Sequence, residues 1–216
     1  MDITQPIVAL FDFDGVVMDT ETQYLVFWSE VGAKYFPEDK NFGTRIKGST
    51  LVQIYDKYFQ GMEKEKAVLT QALIDFEDHM VYNYVPGAVD FMCELKAKGV
   101  RSAIITSSNI PKMTKVYEVH PEIKELVDEI LTSENFTRSK PFPDCFLLGA
   151  KALGTVPENC VVFEDSFHGL QAGTSAGMKV VGLSTSNPAT AIKDKCDLVI
   201  SDFTNFTYED MLSVLR

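Results

Sequence analysis

The chain has 216 residues, a length typical of one domain or of one domain that carries an inserted module. Apolar residues make up 45% of the sequence and charged residues 24%, as in globular proteins that fold without disulfides or a structural metal. The net charge is −11. Because nucleic acids and anionic membranes repel such a chain, we expect neither as a partner, and an anionic substrate would need a local cation.

The cysteines and the N-terminal segment favour a reducing compartment. Cys93, Cys145, Cys160 and Cys196 form no CxxC pair, and we expect buried thiols in a cytoplasmic protein. Residues 1–12 lack a basic stretch followed by a long apolar one, so they predict a strand and not a signal peptide. No apolar run approaches the roughly 20 residues of a membrane helix, and we expect no membrane span.

Short apolar runs that end in polar or acidic residues predict the strands. In chain order they cover residues 7–13, 102–106, 160–165, 179–183 and 197–200. These runs are almost continuously apolar, which is typical of parallel strands that are covered on both faces.

Helical segments separate the later strands. In residues 87–99 the apolar side chains share one face of a helix, and Gly99 ends it. Two further segments end in the same way at Gly154 and Gly177. This alternation predicts an α/β fold, a doubly wound, Rossmann-like parallel sheet with right-handed crossovers.

The segment after the first strand breaks the alternation. Residues 20–84 show helical patterns and no strand, most clearly in residues 63–84. We therefore expect a helical domain, residues 19–84, inserted into a core domain that is formed by residues 1–18 and 85–216.

Polar groups stand where an open α/β sheet binds ligands, beyond the carboxyl ends of its strands. Capping of the next helix explains some of them, but it does not explain Asp12, which lies inside an apolar run, or Glu164, which is not a capping residue. The groups are Asp12–Gly15 after the first strand, Thr106–Asn109 after the second, Glu164–Ser166 after the third, and Lys140 before a helix.

Together these groups form one chemical set. Two or three carboxylates can hold Mg²⁺, a hard cation that prefers oxygen ligands. Lys140 offers a compact positive charge to a phosphate, and the hydroxyl and N–H groups of residues 106–108 offer donors. The metal and the lysine would offset the repulsion between the carboxylates and an anionic substrate. The set therefore predicts a site for a phosphorylated small molecule.

Four motifs, in order, resemble those of the haloacid dehalogenase (HAD) superfamily, in its subgroup of capped phosphatases and β-phosphoglucomutase-like enzymes. One such motif would be weak, but four at predicted strand or helix boundaries are specific. The resemblance extends from residue 7 to about residue 200, and it implies that residues 19–84 are a cap that opens and closes over the substrate. The motifs are DFDGVVMDTE (residues 12–21), TSSN (106–109), SKPFPDCF (139–146) and FEDSFHGLQAGTSAGM (163–178).

The resemblance implies a role for each catalytic residue. Asp12 would be the nucleophile that forms an aspartyl-phosphate, and Asp14 the general acid and then the general base. Thr106 would hydrogen-bond the phosphoryl group, and Lys140 would bridge that group and the nucleophile. Asp14 also argues against 2-haloacid dehalogenases and phosphonatases, which by resemblance lack this second aspartate.

The resemblance also implies the ligands of the metal and of the phosphate. Asp14 would offer Mg²⁺ its backbone carbonyl, and Glu164 would bind the metal directly or through a neighbour. The implied metal set is Asp12, Asp14, Glu164 and Asp165. The implied phosphate-binding set is Gly15, Ser107, Ser108 and, from the cap, Lys47.

Two departures from the mutase pattern favour hydrolysis. Leu51 stands where the mutases carry a phosphate-gripping arginine, and Tyr24 where they carry a histidine. Arg45 or Lys47 could compensate, although a solvated surface is the alternative for both. We expect a monomeric, Mg²⁺-dependent phosphatase of a small phosphorylated metabolite, a sugar phosphate, with a hexose-phosphate mutase as the alternative. A binding module without turnover is a third interpretation, against which the complete catalytic set argues.

Overall fold

The computed structural model describes residues 5–216 and is built around one six-stranded sheet. All neighbouring strands run parallel, in the order β3-β2-β1-β4-β5-β6. This confirms the predicted α/β class with a Rossmann-like parallel sheet. The strands are β1 (Val8–Phe11), β2 (Arg101–Ile105), β3 (Glu129–Leu131), β4 (Cys160–Glu164), β5 (Lys179–Leu183) and β6 (Leu198–Ile200).

The predicted strands are all present, and one strand was missed. β3 has only three residues and lies at the edge of the sheet, where Glu129 is exposed, so its sequence lacks the apolar run of a central strand. Residues 1–4, which belong to the predicted core range 1–18 and to the predicted N-terminal strand segment, lie outside the described residues.

Helices cover both faces of the sheet, and both faces are apolar. Along β1, Ala9 and Phe11 belong to one buried cluster, while Val8 and Leu10 belong to the other. This explains why the strand sequences do not alternate. The helices are α1 (Glu21–Tyr35), α2 (Phe42–Arg45), α3 (Leu51–Tyr58), α4 (Glu63–Asp78), α5 (Ala88–Ala97), α6 (Ile110–Val119), α7 (Ile123–Leu126), α8 (Asp144–Ala152), α9 (Phe167–Ser175), α10 (Ala189–Ile192) and α11 (Tyr208–Val214).

Helices α1 to α4 enclose an apolar cluster of their own. Trp28, Phe42, Ile54, Phe59 and Leu69 are buried in it, away from the sheet. Helix α4 ends earlier than its pattern suggested, and the residues after it pack against the core cluster instead. The predicted domain limits, residues 19–84, stay a prediction.

The sheet register brings the predicted groups to one edge. Phe11 pairs with Ile104 of β2 on one side and with Phe163 of β4 on the other. The residues that follow these three strands therefore emerge side by side, at the point where the strand order reverses.

The four cysteines were expected to be free and buried, and only part of this expectation is met. All four cysteines are free, and Cys145 and Cys160 are buried. The expectation of burial was wrong for Cys93, which is exposed because it lies outside the face of α5 that carries the buried Phe91, Met92 and Leu95. Among residues 5–216, every helix is too short or too polar to span a membrane.

Candidate active site

A buried lysine joins two of the predicted carboxylates. Lys140 Nζ lies 2.6 Å from Oδ1 of Asp12 and 2.5 Å from Oε1 of Glu164, and it also donates to the backbone carbonyl of Ile105. Only 1% of Lys140 and none of Glu164 is exposed. Gln53 of α3 donates to the backbone carbonyl of Lys140 at 3.0 Å, which links the helical segment to this position.

The buried carboxylates of this centre outnumber the lysine that contacts them. Burial and the Glu164 carboxylate raise the pKa of Asp12 to about 7, although Lys140 opposes them. Burial alone would lower the pKa of Lys140, but Asp12 and Glu164 raise it above its usual value. Burial, Glu21 and Glu164 also raise the pKa of Asp165 well above its usual range. The site therefore holds more carboxylate than its lysine can neutralise, and a bound cation would relieve the repulsion.

The acidic cluster fits a hard divalent cation. Asp12, Glu164 and Asp165 offer oxygens that lie within 4.8 Å of one another. Glu164 is the least available of the three, because Oε1 accepts from Lys140, and Oε2 accepts from the backbone N–H groups of Asp165 and Ser166. Oxygen ligands of this kind suit Mg²⁺. The Asp14 carboxylate is not part of this cluster, so only its backbone carbonyl remains as the predicted ligand.

Gly15 allows the first loop to approach the cluster. Its φ of +78° lies in the left-handed region, and a Cβ at this position would overlap the Asp165 carboxylate. Asp165 is held from the other side by the loop after β5, where Ser186 donates to its carboxylate and Asn187 donates to its backbone carbonyl at 2.9 Å.

The Asp14 carboxylate lies in a separate cradle of donors. Lys112 Nζ contacts Oδ1 at 2.6 Å and Oδ2 at 2.7 Å, and the Ser108 hydroxyl donates to Oδ2 at 2.8 Å. The Thr20 hydroxyl donates to Oδ1 instead of capping α1. Burial opposes the ionisation of Asp14, but Lys112 and these hydroxyls hold the pKa of Asp14 below its usual value. The two aspartates of the first motif are therefore held in different electrostatic environments.

The loop after β2 supplies hydroxyl groups between these two centres. Thr106 is fully buried, and its Oγ1 accepts from the backbone N–H of Ser108 at 3.0 Å. Within residues 5–216, the buried hydroxyl of Ser107 has no hydrogen-bond partner. This hydroxyl lines the cavity and is free to donate to a ligand.

A cavity of about 750 Å³ connects the carboxylates with the helical segment. Lys47, Leu51 and Tyr24 line it from that segment. Lys47 donates to the backbone carbonyl of Ser186 at 3.1 Å and is largely buried, whereas Arg45 is exposed and pairs with Asp39. Of the two cations weighed from the sequence, only Lys47 faces the cavity.

The family model described as haloacid dehalogenase-like hydrolase matches residues 9–183, which is most of the chain. The chain belongs to the haloacid dehalogenase-like hydrolase family. The match begins in β1 and ends with β5, so it includes all four motifs and the whole helical segment between β1 and β2.

Relatives within the family cover nearly the full chain. β-Phosphoglucomutase of Bacillus subtilis (strain 168) is 26% identical over 214 residues, which span 93% of this chain and 91% of that protein. Hexitol phosphatase A of Escherichia coli (strain K12) is 27% identical over 207 residues, which span 92% of each. The crystal structure of β-phosphoglucomutase from Clostridium difficile superposes with a TM-score of 0.76 at 24% identity, over 97% of both chains, and so shares the fold. Family and relatives support an enzyme of the phosphatase class, with a phosphomutase as the alternative.

The structure brings most of the residues predicted for this haloacid dehalogenase-like site together, and sequence reasoning missed the groups that support them. Lys112 was missed because its partner lies 98 residues away in the chain, although it shares the buried face of α6 with Met113 and Val116. Ser186 and Asn187 follow β5, so the rule used for the other strand ends would have found them.

Proposed function

We propose that this chain is a Mg²⁺-dependent phosphatase that hydrolyses a sugar phosphate or a similar small phosphorylated metabolite through an aspartyl-phosphate on Asp12. The observation that carries the proposal is the buried pair of Asp12 and Lys140 beside Asp165, at the end of a cavity of about 750 Å³. A cavity of this volume is ample for a small metabolite. Hexitol phosphatase A, a relative of almost the same length, supports a sugar phosphate as the substrate.

The proposed reaction uses the two aspartates in turn. An oxygen of Asp12 attacks the phosphorus, and the bond between phosphorus and the ester oxygen breaks. The electron pair of that bond remains on the ester oxygen, which takes a proton from Asp14. Water then attacks the phosphorus of the aspartyl-phosphate and gives a proton to Asp14. The bond between phosphorus and the Asp12 oxygen breaks, and inorganic phosphate leaves.

The remaining predicted residues hold the phosphoryl group and the metal. Bound Mg²⁺ would neutralise charge on the phosphoryl oxygens. Its proposed ligands are Asp12, Asp165 and the backbone carbonyl of Asp14, with Glu164 supporting them through its contacts. Lys140, Thr106, Ser107, Ser108 and the backbone of Gly15 are the proposed phosphoryl contacts, and Lys47 is the proposed contact to the substrate from the helical segment.

We also propose that residues 19–84 form the cap domain, over a core of residues 1–18 and 85–216. The separate apolar cluster of α1–α4 supports this division. Cap opening would admit the substrate, and closure would exclude bulk water from the aspartyl-phosphate until one water is in place.

The alternative is a hexose-phosphate mutase, which one observation favours. The similarity to β-phosphoglucomutase of Bacillus subtilis spans 93% of this chain. Against it, the apolar Leu51 lines the cavity where the resemblance predicts an arginine, and the Tyr24 hydroxyl is engaged with Glu77 at 2.7 Å. A second phosphate would therefore be poorly held, which favours water as the acceptor.

The test is a phosphate-release screen with a matched inactive variant. Wild type and Asp12→Asn are incubated with Mg²⁺ and a panel of hexitol, hexose, pentose, triose and nucleoside monophosphates, with EDTA in parallel. We expect release by wild type from one narrow class, none in EDTA and none by the variant. Interconversion of hexose phosphates that requires a trace of bisphosphate would identify the mutase instead. The absence of both activities would contradict the proposal.

A further inference from the structure

Lys112 is a buried cation that the proposed reaction has not yet used. Only 3% of it is exposed, and its Nζ contacts both carboxylate oxygens of Asp14, at 2.6 and 2.7 Å. Thr20 and Ser108 each donate to one of these oxygens. Among these donors only Lys112 contacts both oxygens, so it restricts rotation of the carboxylate more than either hydroxyl does.

The position of this ammonium group is fixed by its own helix. Asn109 caps α6 by accepting from the backbone N–H of Lys112 at 3.0 Å, which fixes the first turn. Met113 and Val116 are fully buried and anchor the same helix against the core. The side chain of Lys112 therefore enters the site from a rigid base.

Two aromatic rings flank the ammonium group of Lys112. Its Nζ lies 4.5 Å from the centre of the Tyr24 ring and 5.5 Å from that of Phe13. These distances are typical of cation–π contacts, which stabilise a desolvated cation. The Tyr24 hydroxyl donates to Glu77 at 2.7 Å, so the ring is itself held between α1 and α4. Lys112 thus contacts the Asp14 carboxylate and two aromatic rings, and these contacts restrict the position of its ammonium group.

We propose that Lys112 is the positioning residue for Asp14, whose carboxylate it holds in the orientation that takes a proton from the attacking water. This inference rests on the proposed function, in which Asp14 acts as acid and then as base. An ammonium group that contacts both oxygens favours the carboxylate form of Asp14, so this role belongs to the step in which Asp14 accepts a proton from water. Lys112 touches no reacting atom in this role, and its effect passes through Asp14 alone.

The experiment separates the first step, in which Asp14 acts as an acid, from the second step, in which it acts as a base. The variants are Lys112→Met, which keeps the length of the side chain without its charge, Lys112→Arg, and Lys115→Met as a control on the same helix. Lys115 pairs with Asp78 and does not contact Asp14. The substrate is p-nitrophenyl phosphate in a rapid-mixing assay, because its leaving group departs without a proton and only the second step then needs Asp14.

For Lys112→Met we expect a burst of one nitrophenolate per enzyme, followed by steady turnover that is about 10–100-fold slower than in wild type, part of the 10²–10⁴-fold that general acid–base catalysis contributes. KM falls together with kcat because the second step limits turnover, so kcat/KM stays within the range of wild type. Lys112→Arg recovers part of the rate, and Lys115→Met behaves as wild type. Unchanged turnover would overturn the proposal. A higher KM at unchanged kcat would overturn it in favour of a phosphate-binding lysine, and equal loss of both steps would overturn it in favour of a structural role.

A second measurement does not depend on activity. Crystal structures of wild type and Lys112→Met are compared at the Asp14 side chain. We expect the carboxylate to leave its present orientation, or to occupy several, in the variant. The same single orientation in both structures would overturn the proposal, whatever the kinetics show. If wild type hydrolyses no ester at all, the proposed function fails, and this comparison still decides whether Lys112 positions Asp14.

Discussion

Lys140 determines the charge balance of the candidate active site. Its ammonium group lies between Asp12 and Glu164 with almost no access to water. A buried ion pair adds little net stability, but removal of one partner leaves the others charged and desolvated. Lys140 therefore opposes the rise in the pKa of Asp12, and it weakens the repulsion between the two buried carboxylates.

We predict that Lys140→Met lowers the free energy of unfolding by about 3–5 kcal/mol in metal-free protein, because Asp12 and Glu164 lose their shared counter-ion. Urea unfolding at alkaline pH measures the change, and Lys151→Met, an exposed position on α8, is the control. Adding Glu164→Gln to Lys140→Met should restore part of the stability. A loss of stability no larger than that of Lys151→Met would contradict the role of Lys140 as the shared counter-ion.

At the level of secondary structure, α9 packs unusually closely on the end of β4. Ser166 caps this helix by accepting from the backbone N–H of Gly169, and Glu164 accepts from the backbone N–H groups of Asp165 and Ser166, just before the helix. A Cβ on Gly169 would overlap the Glu164 carboxylate. The glycine is therefore required by contact with the acidic cluster, and not by backbone conformation.

Gly169→Ala tests this contact by the sign of its effect on the free energy of unfolding. In a solvent-exposed helix this change would raise the free energy of unfolding by roughly 0.5–1 kcal/mol. Here the added methyl group would overpack the contact with Glu164, so we expect the free energy of unfolding to fall by about 1–3 kcal/mol. We also expect weaker Mg²⁺ binding by titration calorimetry, because Glu164 must move. Ser175→Ala, exposed on the same helix, is the matched control. A stabilised Gly169→Ala with normal Mg²⁺ affinity would refute the packing account.

The elements differ in how well the sequence predicted them. The central strands were predicted because burial on both faces makes their sequences continuously apolar, and α5 because its apolar residues share one face. The edge strand β3 was not predicted, since three residues beside solvent need no apolar run. Asp12 and Lys140 were predicted from motifs, but the contact between Lys112 and Asp14 depends on tertiary structure, which no local pattern encodes.

The whole molecule combines a net charge of −11 with carboxyl groups buried around one cavity. Burial and neighbouring carboxylates raise the pKa values of Asp12 and Glu21 to about 7, from ordinary values of 3.8 and 4.5. The folded chain therefore holds more protons than the unfolded chain between those values, and this contribution to stability falls as the pH rises through that range. Asp14 acts in the opposite sense, but only below its ordinary pKa.

We predict that Mg²⁺ raises Tm more at about pH 8 than at about pH 5.5, because protons compete with the metal for these carboxylates at the lower pH. Differential scanning calorimetry with Mg²⁺ or EDTA measures both increments. Asp165→Asn should abolish most of the increment at the higher pH. An equal or larger increment in Tm at the lower pH would contradict a metal bound by this cluster.

The cap limits, the monomeric state and the cytoplasmic location stay predictions.

The most direct test of the central claim is to trap the covalent intermediate. Asp14→Asn should still form an aspartyl-phosphate from p-nitrophenyl phosphate and Mg²⁺ but hydrolyse it slowly, because the base that activates water is missing. Intact-mass spectrometry and peptide mapping after an acid quench should find one phosphoryl group, on the peptide that contains Asp12. Asp12→Asn with Asp14→Asn should carry none. A phosphoryl group on another residue, or none while wild type releases phosphate, would contradict the account.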